Sequence, residues 1–304
     1  MIRRTYLGLD IRPSELRAVA LHRHGREHRL AAGRLLPLAE GILQTGLRNA
    51  NIRDGKRFVA ALQEVLQPLA SREERIAVAL PEGAGRLLLH ESEENFRSRE
   101  EGAEILCWQL KNLLPDEPRE VHIDFQLLGR ASNGHNRLLV ALIARRVLGD
   151  YEERIAEAGY GAQAIDFFPC NLYNFYRQRR ELGTDFILVG VDRQTLSLQI
   201  FQESAPVFFR ACNIEESSGL VFQELSRSVA GQNQKLPNLE RCPVFLHCDW
   251  PETAAIEAAV NAVFGRTPIL LESPLQSISR VPLDLPAWRL RGLAAAVGAA
   301  ERLF

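Results

Sequence analysis

A chain of 304 residues, 46% hydrophobic and 25% charged, has the material for a large core, and this composition excludes a disordered chain. Its 37 basic and 38 acidic side chains leave a net charge of −1 and no electrostatic footprint for nucleic acid, so no nucleic-acid partner is expected. No apolar run reaches the roughly 18 residues of a membrane span, and the start "MIRRTYLGLD" lacks the apolar stretch of a secretory leader, so a cytoplasmic location without direct membrane insertion is expected.

The first segments, "YLGLDI" and "ELRAVALHR", read as a hairpin that "HRLAAGRLLPL" extends by a third strand. A helix follows in "IRDGKRFVAALQEVLQPLA", where Phe58, Leu62, Val65, Leu66 and Leu69 recur at helical spacing and Asp54 is placed to cap. "RIAVALPE" is a buried strand ended by Pro81. Residues 86–145 then change pattern. "RLLLHE" is a short strand, Ser98 and Glu101 form a capping box for a helix through "EILCWQLKNLL", and "VHIDFQLLG" and "RLLVALIARR" flank a turn. Trp108, inside that apolar helix, is assigned to its core side. "VLGDYEERIAEAGYGAQAIDFF" gives a helix stopped by Gly159 and then a strand.

After a polar, basic helix in "NLYNFYRQRRELG" the order begins again. "FILVGVDRQTLSLQIFQ" is strand, acidic turn and strand, and "APVFFRACNI" is a third strand. A helix, the buried strand "CPVFLHCDW", another helix and a final helix in "WRLRGLAAAVGAAERLF" complete the chain. Two units of three strands, helix and strand, each opening at an acidic turn (Asp10 and Asp192), predict an α/β, actin-like (ribonuclease H-like) two-lobed fold with a small inserted subdomain. The expected divisions are 1–85 with 146–183 for the first lobe, 86–145 for the insert, 184–288 for the second lobe, and 289–304 for a helix returning to the first. The aromatics of "DFFPCNLYNFY" are expected between the lobes. The five cysteines are expected to be reduced and to hold no metal, because Cys242, His247 and Cys248 lack a second ligand pair at zinc spacing.

Several of these stretches together resemble the PilM family of actin-like type IV pilus assembly proteins: "LGLDI" with "RAVAL", "RIAVALPE", "EVHIDFQLLG", "RRVLGDYEERIAEAGYGAQAIDFFPCNLYNF" and "GLAAAVGAA". The cytoplasmic region of the type II secretion L-component is similar to that family. The resemblance implies a cytoplasmic docking platform, peripheral to the inner membrane, whose partners are the tail of a PilN-like inner-membrane protein and other pilus assembly components. The tail would lie in a groove between the first large subdomain and the insert, and Leu88, Phe125 and Leu127 are the candidate groove residues.

The resemblance also implies a nucleotide cleft built on two glycine turns whose backbone N–H groups cradle phosphate. Here "DIRPSE" puts Arg12 in the glycine's place and Pro13 removes a donor, so Asp10 and Ser14 are what remain of the first turn. "VDRQTL" keeps Asp192 and Thr195 but has Arg193 and Gln194 between them. Glu215 and Glu216 fall where a third phosphate contact belongs, and "LHCDWPE" has no glycine for adenosine. Both turn arginines read as solvated. The expectation is a scaffold without catalysis and without a bound cofactor. The alternative is an active ATPase or phosphotransferase, with Asp10 and Asp192 on Mg-ATP and Arg12, Ser14, Arg193 and Thr195 around the phosphates.

Overall fold

The computed structural model describes residues 5–24, 27–70, 73–131, 133–230, 232, 236, 239–272, 275 and 285–304. Most of the predicted second-lobe segment 273–284 therefore lies outside the described residues. In the first sheet, β1 (Thr5–Arg12), β2 (Glu15–His24) and β3 (Glu27–Pro37) form an antiparallel meander. β4 (Arg75–Leu80) joins parallel to β1, and β8 (Gly161–Phe167) parallel to β4, so the order is β3-β2-β1-β4-β8. The second sheet repeats this arrangement with β9 (Phe186–Asp192), β10 (Thr195–Gln202), β11 (Ala205–Asn213), β12 (Val244–Cys248) and β13 (Ile269–Leu270), in the order β11-β10-β9-β12-β13. Between β4 and β8 the chain builds a third, antiparallel sheet from β5 (Arg86–Ser92), β6 (Val121–Arg130) and β7 (Asn136–Ala144), in the order β5-β7-β6.

Side chains alternate across a strand, and that period of two gives each large sheet two different faces. Leu7, Leu9 and Ile11 of β1 and Leu16, Ala18 and Ala20 of β2 meet α1 (Gly55–Ala70) and α3 (Arg145–Glu157) in one core. Ile187, Val189 and Val191 of β9 and Leu196 and Leu198 of β10 meet α5 (Ser218–Ala230) and α6 (Thr253–Phe264) in its counterpart. The intervening residues, among them Tyr6, Val19, Leu188 and Phe245, join an interlobe core with Phe168, Phe175 and Tyr176 of α4 (Phe168–Arg177). Phe168, Tyr173, Phe175 and Tyr176 thus do pack between the lobes, whereas Phe167 joins the first-lobe core, and α4 ends at Arg177 without extending through the basic run.

The final helix is two short ones, α7 (Ala287–Arg291) and α8 (Ala294–Ala300), parted at Gly292 and Leu293. α8 is buried along its whole length and packs on α4 and β1. Small residues make that approach possible. A Cβ on Gly8 would stand 2.0 Å from the Ala296 carbonyl oxygen, and one on Gly298 would stand 2.0 Å from that of Asn171.

In the inserted unit α2 (Arg99–Gln109) covers one sheet face, with Leu106 and Leu110 on Val121, Ile123, Leu138, Val140 and Leu142. Ser98 caps it, accepting from Glu101 N–H at 3.1 Å, while the Glu101 carboxylate reaches back to Arg97 N–H at 2.7 Å. Asp54 similarly accepts from Arg57 N–H at 3.0 Å at the start of α1. Trp108 departs from expectation: it is 70% exposed. It lies two positions from both Leu106 and Leu110, about 200° around a helix of 3.6 residues per turn, and so faces away from the sheet they cover.

Candidate functional site: a buried arginine–carboxylate cluster between the lobes

The inner faces of β1, β2, β9, β10 and β12 bring charged residues to one place. The two hairpins differ in length. Arg12 pairs with Glu15 across the Pro13–Ser14 turn, which puts Asp10 two residues short of the turn and opposite Arg17. Asp192 pairs directly with Thr195 across Arg193 and Gln194. By hairpin position, therefore, Arg12 and not Asp10 matches Asp192. Both hairpins close with two-residue turns, Pro13–Ser14 and Arg193–Gln194, and Pro13 leaves the first of them one backbone donor short.

Arg12 is the main correction to the sequence reading. It is 1% exposed, not solvated, because the strand carries it inward instead of out at the turn. Its Nε donates to Asp10 Oδ2 at 3.1 Å and lies 3.7 Å from Asp192 Oδ1, its Nη1 lies 3.5 Å from Glu82 Oε2, and the guanidinium stacks on Phe168 at 3.4 Å from the ring centre. Nη1 and Nη2 make no hydrogen bond among the described residues, so the attraction to Glu82 rests on charge and the stacking on cation–π contact. Arg17, fully buried, joins the lobes. Its Nε donates to Glu15 at 2.8 Å, Nη1 to Asp192 at 2.7 Å and to the Gly292 carbonyl at 2.9 Å, and Nη2 to Asp249 at 2.7 Å. Glu15 is also held by Arg289, and Tyr176 Oη meets His247 Nδ1 at 2.9 Å.

The remaining predicted residues divide. Thr195 is buried, and its hydroxyl reaches Glu82 at 3.4 Å. Ser14 sits exposed at the turn, and Arg193, with φ of 46°, donates its backbone N–H to Asp249 at 2.8 Å while its side chain pairs with Glu216 at 3.2 Å, away from the cluster. Sequence reasoning missed Glu15, Arg17, Glu82, His247 and Asp249. Their signal was present: charged residues alternating inside otherwise apolar strands, "ELRAVAL" and "VFLHCD", must be paired if the strand is buried. Cys248 faces the apolar core while His247 faces the cluster, which separates two of the residues weighed for zinc.

The carboxylates respond to two opposing forces. Burial pushes Asp10 up to about 6 and Glu82 up to about 7, and the arginines only partly offset it. Burial would raise Asp192 as well, but Arg12, Arg17 and the His247 ring overcome it and hold that group well below the ordinary range. Asp249 is raised by burial and by its neighbour Asp192 against the pull of Arg17. A raised group keeps its proton in the folded state after the unfolded chain has released it. Stability therefore falls as pH rises from the ordinary 4.5 of Glu82 towards 7, and from the ordinary 3.8 of Asp10 towards 6. Asp192 acts oppositely, its contribution being lost as pH falls below 3.8. Glu82→Gln removes the rise from 4.5 to about 7. In urea titrations the loss of stability between pH 5 and pH 8 should shrink by about 2–3 kcal/mol; an unchanged pH profile would show that Glu82 ionises freely.

The candidate groove residues occupy different environments. Leu88 and Phe125 lie half-buried under α2, Phe125 with its ring 5.1 Å from that of Phe96. Leu127, beyond the reach of α2, is 58% exposed on β6, an edge strand.

No family model matches this sequence, and no curated protein matches it. Solved structures do resemble it. The PilM–PilN type IV pilus biogenesis complex superposes with a TM-score of 0.75 at 19% identity over 99% of both chains. Cyto-EpsL, the cytoplasmic domain of an inner-membrane component of the type II secretion system of Vibrio cholerae, gives 0.55 at 10% identity over 97% of this chain and 95% of that one. A Bacteroides thetaiotaomicron protein with an actin-like ATPase fold gives 0.58 at 10% identity over 91% and 92%. These likenesses show the fold, a two-lobed actin-like architecture. No helix among the described residues is long and apolar enough to cross a membrane.

Proposed function

We propose that this chain is a cytoplasmic docking protein of a type IV pilus or related assembly machine. It holds the cytoplasmic tail of a PilN-like inner-membrane protein, alongside other assembly components, and its interlobe cleft does not take Mg-ATP. The fold shared with the PilM–PilN complex supports the first part. The observation that carries the second is the position of the arginines: Arg12 stands 3.1 Å from Asp10 and 3.7 Å from Asp192, and Arg17 stands 3.7 Å and 2.7 Å from the same two. Two guanidinium groups already neutralise the carboxylates that a magnesium ion would need, and a triphosphate could enter only by separating these pairs. Leu127 on the free edge of β6 is the exposed apolar side chain that an extended tail would meet first.

One calorimetric series tests both halves. A synthetic tail of the PilN-like partner is expected to bind, with no heat from Mg-ATP at millimolar concentration. Micromolar Mg-ATP binding would overturn the cleft assignment, and a silent tail peptide would overturn the docking assignment.

A further inference from the structure

α2 covers the inserted sheet with one side and leaves the other bare. Leu106 and Leu110 sit on the sheet, while Trp108 and the half-buried Ile105 stay out of that core. Trp108 is the most exposed large apolar side chain among the described residues. At 3.6 residues per turn, positions 100, 101, 104, 105 and 108 fall on one side of a helix, so Glu100, Glu101 and Glu104 share this outer face with Ile105 and Trp108.

The charge beside the indole is one-sided. From Glu91 to Glu104 the sequence holds six glutamates against two arginines, which concentrates negative charge here in a chain whose total is only −1. Arg99, one of the two, is turned to Asp124 on β6 at 2.7 Å. Glu104 is exposed and has no ion-pair partner among the described residues, and Lys111 lies past the helix end. An acidic strip with an apolar stripe beside it favours an occupant that carries aliphatic side chains together with ammonium or guanidinium groups, which are also drawn to the face of an indole. The backbone of the occupant is restricted as well. A helix uses its N–H and C=O groups internally, so an extended chain finds no edge on α2 to pair with, whereas a second helix can lay its ridges along the strip.

We propose that the outer face of α2 docks a basic amphipathic helix of a partner protein, with aliphatic side chains on Ile105 and Trp108 and lysines or arginines on Glu100, Glu101 and Glu104. The candidate groove residues lie elsewhere, Leu88 and Phe125 beneath α2 and Leu127 beyond its reach, so this surface is separate from the tail groove and does not depend on the docking reading. Part of the attraction is charge, so binding weakens with salt.

The test titrates the full chain with the basic amphipathic peptide acetyl-Leu-Lys-Lys-Leu-Leu-Lys-Leu-Leu-Lys-Lys-Leu-Leu-Lys-Leu-amide and with its counterpart carrying glutamate for lysine, by tryptophan fluorescence and calorimetry. The basic peptide should bind and move the Trp108 emission to the blue, and the acidic one should bind at least about tenfold more weakly. Trp108→Ala should weaken the basic peptide about thirtyfold, the scale of a truncated interface anchor, and Glu104→Lys about tenfold. Both variants replace exposed side chains, and urea midpoints equal to that of the natural chain are expected. Equal binding of the two peptides, an unaffected W108A variant, or no binding of the basic peptide would overturn the proposal. Self-association of the chain that W108A abolishes, with the peptide silent, would give the face to a second copy instead. A synthetic tail of the PilN-like partner should leave the basic peptide bound; displacement would make the face part of the tail groove and overturn its separate role.

Discussion

Arg17→Met is expected to destabilise the folded chain by about 3–5 kcal/mol at neutral pH, the range for removing one partner from a buried ion pair. The guanidinium is fully buried and is shared by Glu15, Asp192, Asp249 and the Gly292 carbonyl. Methionine replaces most of the volume, so the loss reports charge and not a cavity. What remains is two second-lobe aspartates out of water with their shared cation gone, and the connection between lobes is broken at the same point. Protons can take the cation's place. Asp192 and Asp249 should therefore titrate higher in the variant, and its deficit relative to the natural chain should shrink as pH falls towards 4. Urea unfolding at pH 7 and pH 4.5 measures both. A deficit under about 1 kcal/mol at pH 7 would mean that solvent screens the cluster, and the picture of a dry interlobe strut would fail.

The fold was legible in the sequence because its rules are local. Leu7, Leu9 and Ile11 alternate with Gly8 and Asp10, Asp54 and Ser98 cap their helices, and the same order of elements returns after residue 184. Trp108 was misread because hydrophobicity was counted along the helix and not around it. The break at Gly292 was underweighted because glycine only mildly disfavours a helix, while the contact made there is distant: Arg17, 275 residues away, donates to the Gly292 carbonyl. The cluster failed for the same reason. A turn arginine is ordinarily solvated, and whether Arg12 points inward depends on how far the strand pairing extends and on Asp192 and Phe168 in other parts of the chain. What the sequence did carry was the conflict itself, charged residues inside buried strands. A buried strand with unpaired charge is too costly to persist, so Glu15, Arg17, His247 and Asp249 had to find one another.

The second large effect concerns α8. Gly298→Val is expected to cost 1–3 kcal/mol or more, in the range for overpacking a dense interior. The first carbon of any side chain there lies 2.0 Å from the Asn171 carbonyl oxygen, a backbone atom that cannot swing aside like the end of a side chain. Either α8 or α4 must shift, and both face the interlobe core. α8 also rests on β1 through Gly8, so a shift at Gly298 is transmitted to the strand that carries Asp10 and Arg12 into the cluster. The variant should thus lose slowly exchanging amides in β1 and β9 together, in addition to stability. Gly149→Ala in α3 is the contrasting change: nothing lies within 4 Å of the added carbon, and a helix interior prefers alanine, so a gain of about 0.5–1 kcal/mol is expected. Hydrogen exchange separates the outcomes. If Gly298→Val loosens α8 while β1 and β9 stay protected, the small-residue contact is a local fit, and the cluster keeps the lobes together without it.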